Sequence, residues 1–128
     1  MNEYKKLEVN EKGHLVLGGC DAVELAKKFG TPLYVMEEQV IRDVCQGYMK
    51  TLKESSLKGI ILFASKAFMT TAMCKIIQSE GLGLDVVSGG ELYTALQAGF
   101  PTEKIYMHGN NKTNAELKMA IDAKIGRI

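Results

Sequence analysis

Strand-like and helix-like patterns alternate along most of this chain at a nearly constant interval, and that repetition restricts its possible folds more than any single motif does. Short apolar runs rich in β-branched residues occupy residues 32–36, 59–65, 82–87 and 104–108, and a fifth opens at Ile125. Successive starts at 32, 59, 82, 104 and 125 lie 27, 23, 22 and 21 residues apart. Between them, residues 37–54 carry Val40, Ile41, Val44, Cys45, Tyr48, Met49 and Leu52 on one helical face, and residues 70–78, 90–98 and 114–123 read as three further helices. Ser88 to Glu91 and Thr113 to Glu116 have capping-box spacing, and Gly81 and Gly99 stand where helices should stop. Strands separated by helices must run parallel and cross over right-handedly, which makes the architecture α/β.

The interval suits a (β/α)8 barrel as well as an open sheet. About four βα units are present and a fifth strand opens at the last residues, whereas a complete barrel takes about 250 residues; the 128 residues are therefore expected to be part of something longer. Residues 1–30 stand outside the repeat. His14 to Leu17 suggests a short strand there, and Asp21 to Glu24 another capping box before a helix. The expected division is a leader over 1–30, joining a domain formed elsewhere, and the first half of a barrel over 31–128.

A net charge of +1 provides no general attraction to nucleic acid or anionic lipid. The apolar stretches fall short of the roughly 18 to 20 residues that a membrane-spanning helix needs, and the first residues lack the apolar core of a signal peptide. A cytosolic protein without membrane or nucleic-acid partners is expected. Cys20, Cys45 and Cys74 are odd in number and widely spaced, so they read as reduced, mostly buried hydrophobes. No metal site is signalled: His14 and His108 are the only histidines, and no carboxylate stands at ligand spacing from either. Met36, Met49, Met69, Met73, Met107 and Met119 mostly fall on apolar faces and read as core filler.

Chemistry is expected where strands end, the face on which barrels and open α/β sheets build their sites. Ile60 to Phe68 is an apolar run that delivers Lys66 to such an end. Apolar neighbours disfavour the charged form of an amine and leave it nucleophilic toward aldehydes. Two readings stand: a lysine that binds pyridoxal phosphate, and a lysine that snorkels into water. Asp85 lies in the next apolar run, where an acid must be paired; it is satisfied either by Lys66 on the adjacent strand or by backbone amides of the following loop. Ser88-Gly89-Gly90 looks like an anion cradle at a helix start, but Gly81-x-Gly83 precedes its strand and lacks the third glycine of a dinucleotide fingerprint, so Ser88 reads first as a helix cap. His108, in His108-Gly109-Asn110-Asn111-Lys112, is either a ring that contacts a flat ligand or an exposed loop histidine.

Four segments carry a family resemblance in order and spacing: Phe63 to Phe68, Gly83 to Leu92, Ala98 to Pro101, and His108 to Lys112. Together they are similar to the N-terminal part of diaminopimelate decarboxylases, within the fold-type III group of pyridoxal phosphate enzymes, and the resemblance runs from about Gly13 to the last residue. The His-Gly-Asn-Asn-Lys element favours these enzymes over ornithine or arginine decarboxylases and alanine racemases; a carboxynorspermidine decarboxylase and a non-catalytic pyridoxal phosphate-binding barrel stay as alternatives, although such a carrier would not need the leader with His14 to Leu17. The resemblance implies an alanine racemase-like (β/α)8 barrel followed by a β-domain, and a homodimer with active sites at the subunit interface. The cofactor it implies is pyridoxal 5′-phosphate, and the reaction is decarboxylation of meso-2,6-diaminopimelate to L-lysine and CO2. Lys66 matches the lysine that holds the cofactor as a Schiff base; Asp85 and His108 match positions beside it, and Glu91 supports the rim. The family's phosphate-binding glycine loop, its acid for the pyridine nitrogen, its substrate-binding arginines and its C-terminal cysteine and tyrosine correspond to nothing in these residues.

Overall fold

Three of the expected strands form one parallel sheet in the computed structural model of the chain, which describes residues 7–128. The chain divides into two units, Met1–Ile41 and Arg42–Ile128. In the second unit β4 (Leu62–Ala64), β5 (Gly83–Val86) and β6 (Ile105–Met107) lie side by side in chain order. Ala64 stands opposite Asp85, Asp85 opposite Tyr106, and Tyr106 opposite Arg127 through an isolated parallel bridge. The strand that opens near Ile125 is thus represented by that bridge, with the Met107 amide donating to the Arg127 carbonyl.

Alternate residues of a strand point to opposite sheet faces. Leu84, Val86, Ile105 and Met107 share one face and are buried there. The helices supply their cover: α3 (Thr71–Ser79), α4 (Gly89–Gln97) and α5 (Asn114–Asp122) follow the three strands, α3 packs on β5 and α4, and α4 on α5. Met73, Cys74, Ile77, Leu92, Ala95 and Ala120 are their buried contributions. Burying side chains of this size contributes roughly 1.5–3 kcal/mol each for the larger ones, and this term holds the βα layer together. The 17-residue helix α2 (Glu38–Glu54) buries Cys45, and its Arg42 and Gln46 bind the Glu80 carboxylate at the end of α3.

The three helices end alike. After α3 the Gly81 amide donates to the Gln78 carbonyl and Leu82 to Ile77; after α4 Gly99 donates to Leu96 and Phe100 to Ala95; after α5 Lys124 donates to Ile121 and Ile125 to Ala120. This is the Schellman pattern, whose central residue needs a left-handed backbone. Gly81 at φ 83° and Gly99 at φ 66° adopt it without a Cβ penalty, whereas Lys124 does so at φ 53° with a side chain.

In the first unit β1 (Glu8–Val9), β2 (Leu15–Leu17) and β3 (Cys20–Asp21) form an antiparallel sheet, and α1 (Ala22–Phe29) follows. Asp21 is its fastening point. One oxygen caps α1 through the Val23 and Glu24 amides, while the other accepts from the Asn10 amide group at 2.8 Å and lies 2.9 Å from His14 Nδ1. The His14 bond foremost holds the Asp21 carboxyl well below the usual carboxylate range.

Several expectations need correction. Residues 32–36 form no strand: Pro32 has no amide hydrogen to donate, and no described strand pairs with the segment. Asp21 does cap α1, but Glu24 pairs with Lys27 instead of closing the box. Cys20 is exposed, unlike Cys45 and Cys74, and Met36 is exposed too.

Candidate active site

The end of β4 is where the apolar run turns over. Ser65–Ala67 forms a single 3₁₀ turn that packs against β5, with Lys66 at its centre. Lys66 is exposed, so the expectation of an amine held among apolar neighbours does not hold for the described residues. A one-turn helix directly after the strand rotates successive side chains apart, sending Ser65 into the core and Lys66 outward.

Asp85 projects from the sheet face opposite the buried Leu84 and Val86, together with Ala64 and Tyr106. Its register opposite Ala64 places it two residues from Lys66 along the neighbouring strand. Its side chain is 29% exposed, and Oδ2 stands 3.8 Å from His108 Nδ1. The other oxygen, Oδ1, is buried without a partner, and so is Ser65 Oγ. Among the described residues these are the two buried side-chain polar atoms that lack a hydrogen bond; Ser65 precedes Lys66 in the turn after β4, and Asp85 lies on β5. An unpaired buried polar atom costs about 1–3 kcal/mol.

His108 follows β6 directly. Its backbone amide donates to the Val86 carbonyl at 2.9 Å, which fixes it beside β5, while its ring is 74% exposed. The loop beyond it is closed by Lys112 Nζ donating to the Gly109 carbonyl at 2.7 Å. Tyr106 continues the row from Asp85, and the Arg127 guanidinium lies 5.5 Å from its ring centre.

Ser88 acts as the helix cap expected of it, accepting from the Glu91 amide at 3.3 Å. Glu91 returns the contact one residue earlier than a capping box requires, to the Val87 amide at 3.0 Å. The Gly89 amide is not open to an anion from outside, because the Glu116 carboxylate accepts from it at 2.7 Å. Thr113 and Glu116 close the full capping box that was expected. The structure therefore brings Asp85 and His108 into contact, sets Lys66 at the neighbouring strand end, and leaves Glu91 as a support of the rim. Ser65 and the second arm of Glu116 escaped the sequence reading. Ser65 carried a signal, being a polar residue inside an apolar run, whereas the Gly89 contact spans 27 residues and leaves no local trace.

Residues 38–128 match the family model described as pyridoxal-dependent decarboxylase, pyridoxal binding domain. The chain is 57% identical over 121 residues to a diaminopimelate decarboxylase of Bacillus methanolicus, covering 94% of this chain and 28% of that protein. A crystal structure of the protein AQ1208 from Aquifex aeolicus superposes with a TM-score of 0.84 at 39% identity, over 94% of this chain and 29% of that one. A crystal structure of diaminopimelate decarboxylase from M. jannaschii in complex with L-lysine superposes with a TM-score of 0.78 at 40% identity, over 94% and 28% respectively. The chain thus spans little more than a quarter of the length of these relatives. The likeness bears out the expected fold, the first βα units of the decarboxylase barrel.

Proposed function

The chain belongs to the family of pyridoxal-dependent decarboxylases, and from that premise we propose that the protein carrying it converts meso-2,6-diaminopimelate to L-lysine and CO2. The observation that carries this reading is the row of polar groups at the strand ends: Lys66 in the turn that closes β4, Asp85 on β5 with one buried oxygen unpartnered, and His108 after β6 at 3.8 Å from the other oxygen. They suit a polar cofactor attached at that lysine, and pyridoxal phosphate is one that bonds covalently to an amine.

Pyridoxal phosphate held there by Lys66 would supply an electron sink for decarboxylation at the substrate's Cα. The chain's own residues hold and orient. Lys66 offers Nζ as the point of attachment, and its exposure lets a substrate amine reach the same place. The unpartnered Oδ1 of Asp85 supports a role for this carboxylate as a hydrogen-bond acceptor toward the cofactor or substrate. Its other oxygen faces His108, whose exposed ring is free to lie against a flat ligand. Phe63 and the buried row beneath keep the strand ends rigid, so the three side chains start from fixed backbone positions.

The same reading takes residues 1–30 as a leader that joins a β-domain and 31–128 as the first half of the barrel. It takes the protein as a cytosolic homodimer with active sites at the subunit interface. Among the described residues no helix is long and apolar enough to cross a membrane.

The test is release of labelled CO2 from carboxyl-labelled meso-diaminopimelate by the full-length protein supplied with pyridoxal phosphate. Lysine should appear in equal amount. Release of CO2 from ornithine or arginine, with none from diaminopimelate, would contradict the substrate assignment.

A further inference from the structure

Asp85 and His108 stand 3.8 Å apart, too far for a direct hydrogen bond to fix their separation. Asp85 is held in β5 by its ladders to β4 and β6, and the His108 backbone by its amide's bond to the Val86 carbonyl; the loops of residues 87–90 and 108–113 run on from those two strand ends. One side chain joins those two loops. Glu116 Oε1 accepts from the Gly89 amide at 2.7 Å, while Oε2 accepts from the Thr113 amide at 2.9 Å and the Thr113 hydroxyl at 2.8 Å. The Glu116 amide answers with a bond to Thr113 Oγ1 at 3.2 Å.

Gly89 is the first residue of α4 and Thr113 the N-cap of α5, so a single carboxylate satisfies free amides at two helix starts, where the helix dipoles favour negative charge. The fit is close. A Cβ on Gly89 would come within 3.0 Å of Glu116 Cγ.

We propose that Glu116 is a positioning residue: it fastens the loop that begins at His108 to the loop after β5 and thereby sets where the His108 ring stands relative to Asp85 and the cofactor. This rests on the decarboxylase reading above. The side-chain hydrogen bonds of Glu116 go to Gly89 and Thr113, so it acts through the loops that carry them.

The test uses the full-length protein and the variants Glu116→Ala, Glu116→Gln and Gly89→Ala. In cofactor-free protein, hydrogen exchange at the Gly89 and His108 amides should quicken about tenfold in Glu116→Ala, because opening the fastening becomes local and easy. In cofactor-loaded protein kcat should fall about 10- to 100-fold, the scale on which small misplacements act, with KM nearly unchanged. Glu116→Gln, which keeps one accepting oxygen, should fall between, and it also serves if the alanine variant does not fold. Gly89→Ala should lower kcat in the wild-type background and add little to Glu116→Ala. An unchanged His108 exchange rate would overturn the proposal, since the fastening would not reach the second loop. Faster exchange with normal kcat per loaded site would overturn it too, leaving Glu116 as a helix cap alone. If the unaltered protein releases no CO2 from diaminopimelate, the functional reading has failed by itself, and the His108 exchange rate still decides whether Glu116 joins the loops.

Discussion

Asp85 and His108 meet across two neighbouring strand ends, with Oδ2 3.8 Å from Nδ1, while the other oxygen of the same carboxylate is buried and unpartnered. A carboxylate in that position is half engaged. One oxygen has the exposed His108 ring as its neighbour, and the other is a buried acceptor without a hydrogen bond to the described residues.

Asp85→Asn keeps the shape and removes the charge. In the full-length enzyme it should cut turnover by about 10² to 10⁴-fold, the range of positioned acid–base and electrostatic groups. The melting temperature should stay close to that of the parent, because no hydrogen bond of Oδ1 to the described residues is lost. Near-normal turnover with a large loss of stability would show that the carboxylate serves the fold.

Lys124 occupies, after α5, the left-handed position that glycine fills after α3 and α4. A left-handed backbone costs a side-chain-bearing residue about 1–2 kcal/mol, and glycine recovers most of it at some expense in unfolded-state entropy. Lys124→Gly should therefore raise stability by about 1 kcal/mol in chemical denaturation, and Lys124→Val should lower it. A destabilised glycine variant would contradict the strain at this cap.

Three carboxylates are held below their ordinary range: Asp21 chiefly by its bond to His14, Glu80 chiefly by Arg42, and Glu116 chiefly by the Thr113 amide. For a depressed folded-state value the stabilisation is present above the unfolded value, near 4, and is lost as pH falls toward the folded one. Denaturation midpoints should thus be flat from neutral pH down to about 5 and fall below about 4. Glu116→Gln should lessen that fall. Stability that rises on acidification would have the wrong sign.

The parallel repeat was readable because it rests on local patterns: strand-length apolar runs, helical faces, hydroxyl caps and terminal glycines each depend on a few neighbouring residues. The Thr113–Glu116 box formed as written, and β4, β5 and β6 fall inside the expected runs. The misses have two causes, partners distant in sequence and a local turn that composition does not reveal. Residues 32–36 have strand composition but no adjacent strand to supply hydrogen bonds, and composition alone does not make a ladder. Lys66 ends an apolar run, yet a single 3₁₀ turn swings it outward and buries Ser65 in its place. Ser88 caps α4 as read, but nothing near Gly89 in sequence reveals that Glu116 accepts from its amide.

The claim on which the functional account turns is that Lys66 is the point of cofactor attachment. The direct measurement is borohydride reduction of the full-length protein loaded with pyridoxal phosphate, followed by peptide mapping. The account predicts a pyridoxyl group on Nζ of Lys66, and no label there in Lys66→Ala protein that remains folded. A label on any other lysine, or none in protein that releases CO2, would contradict it.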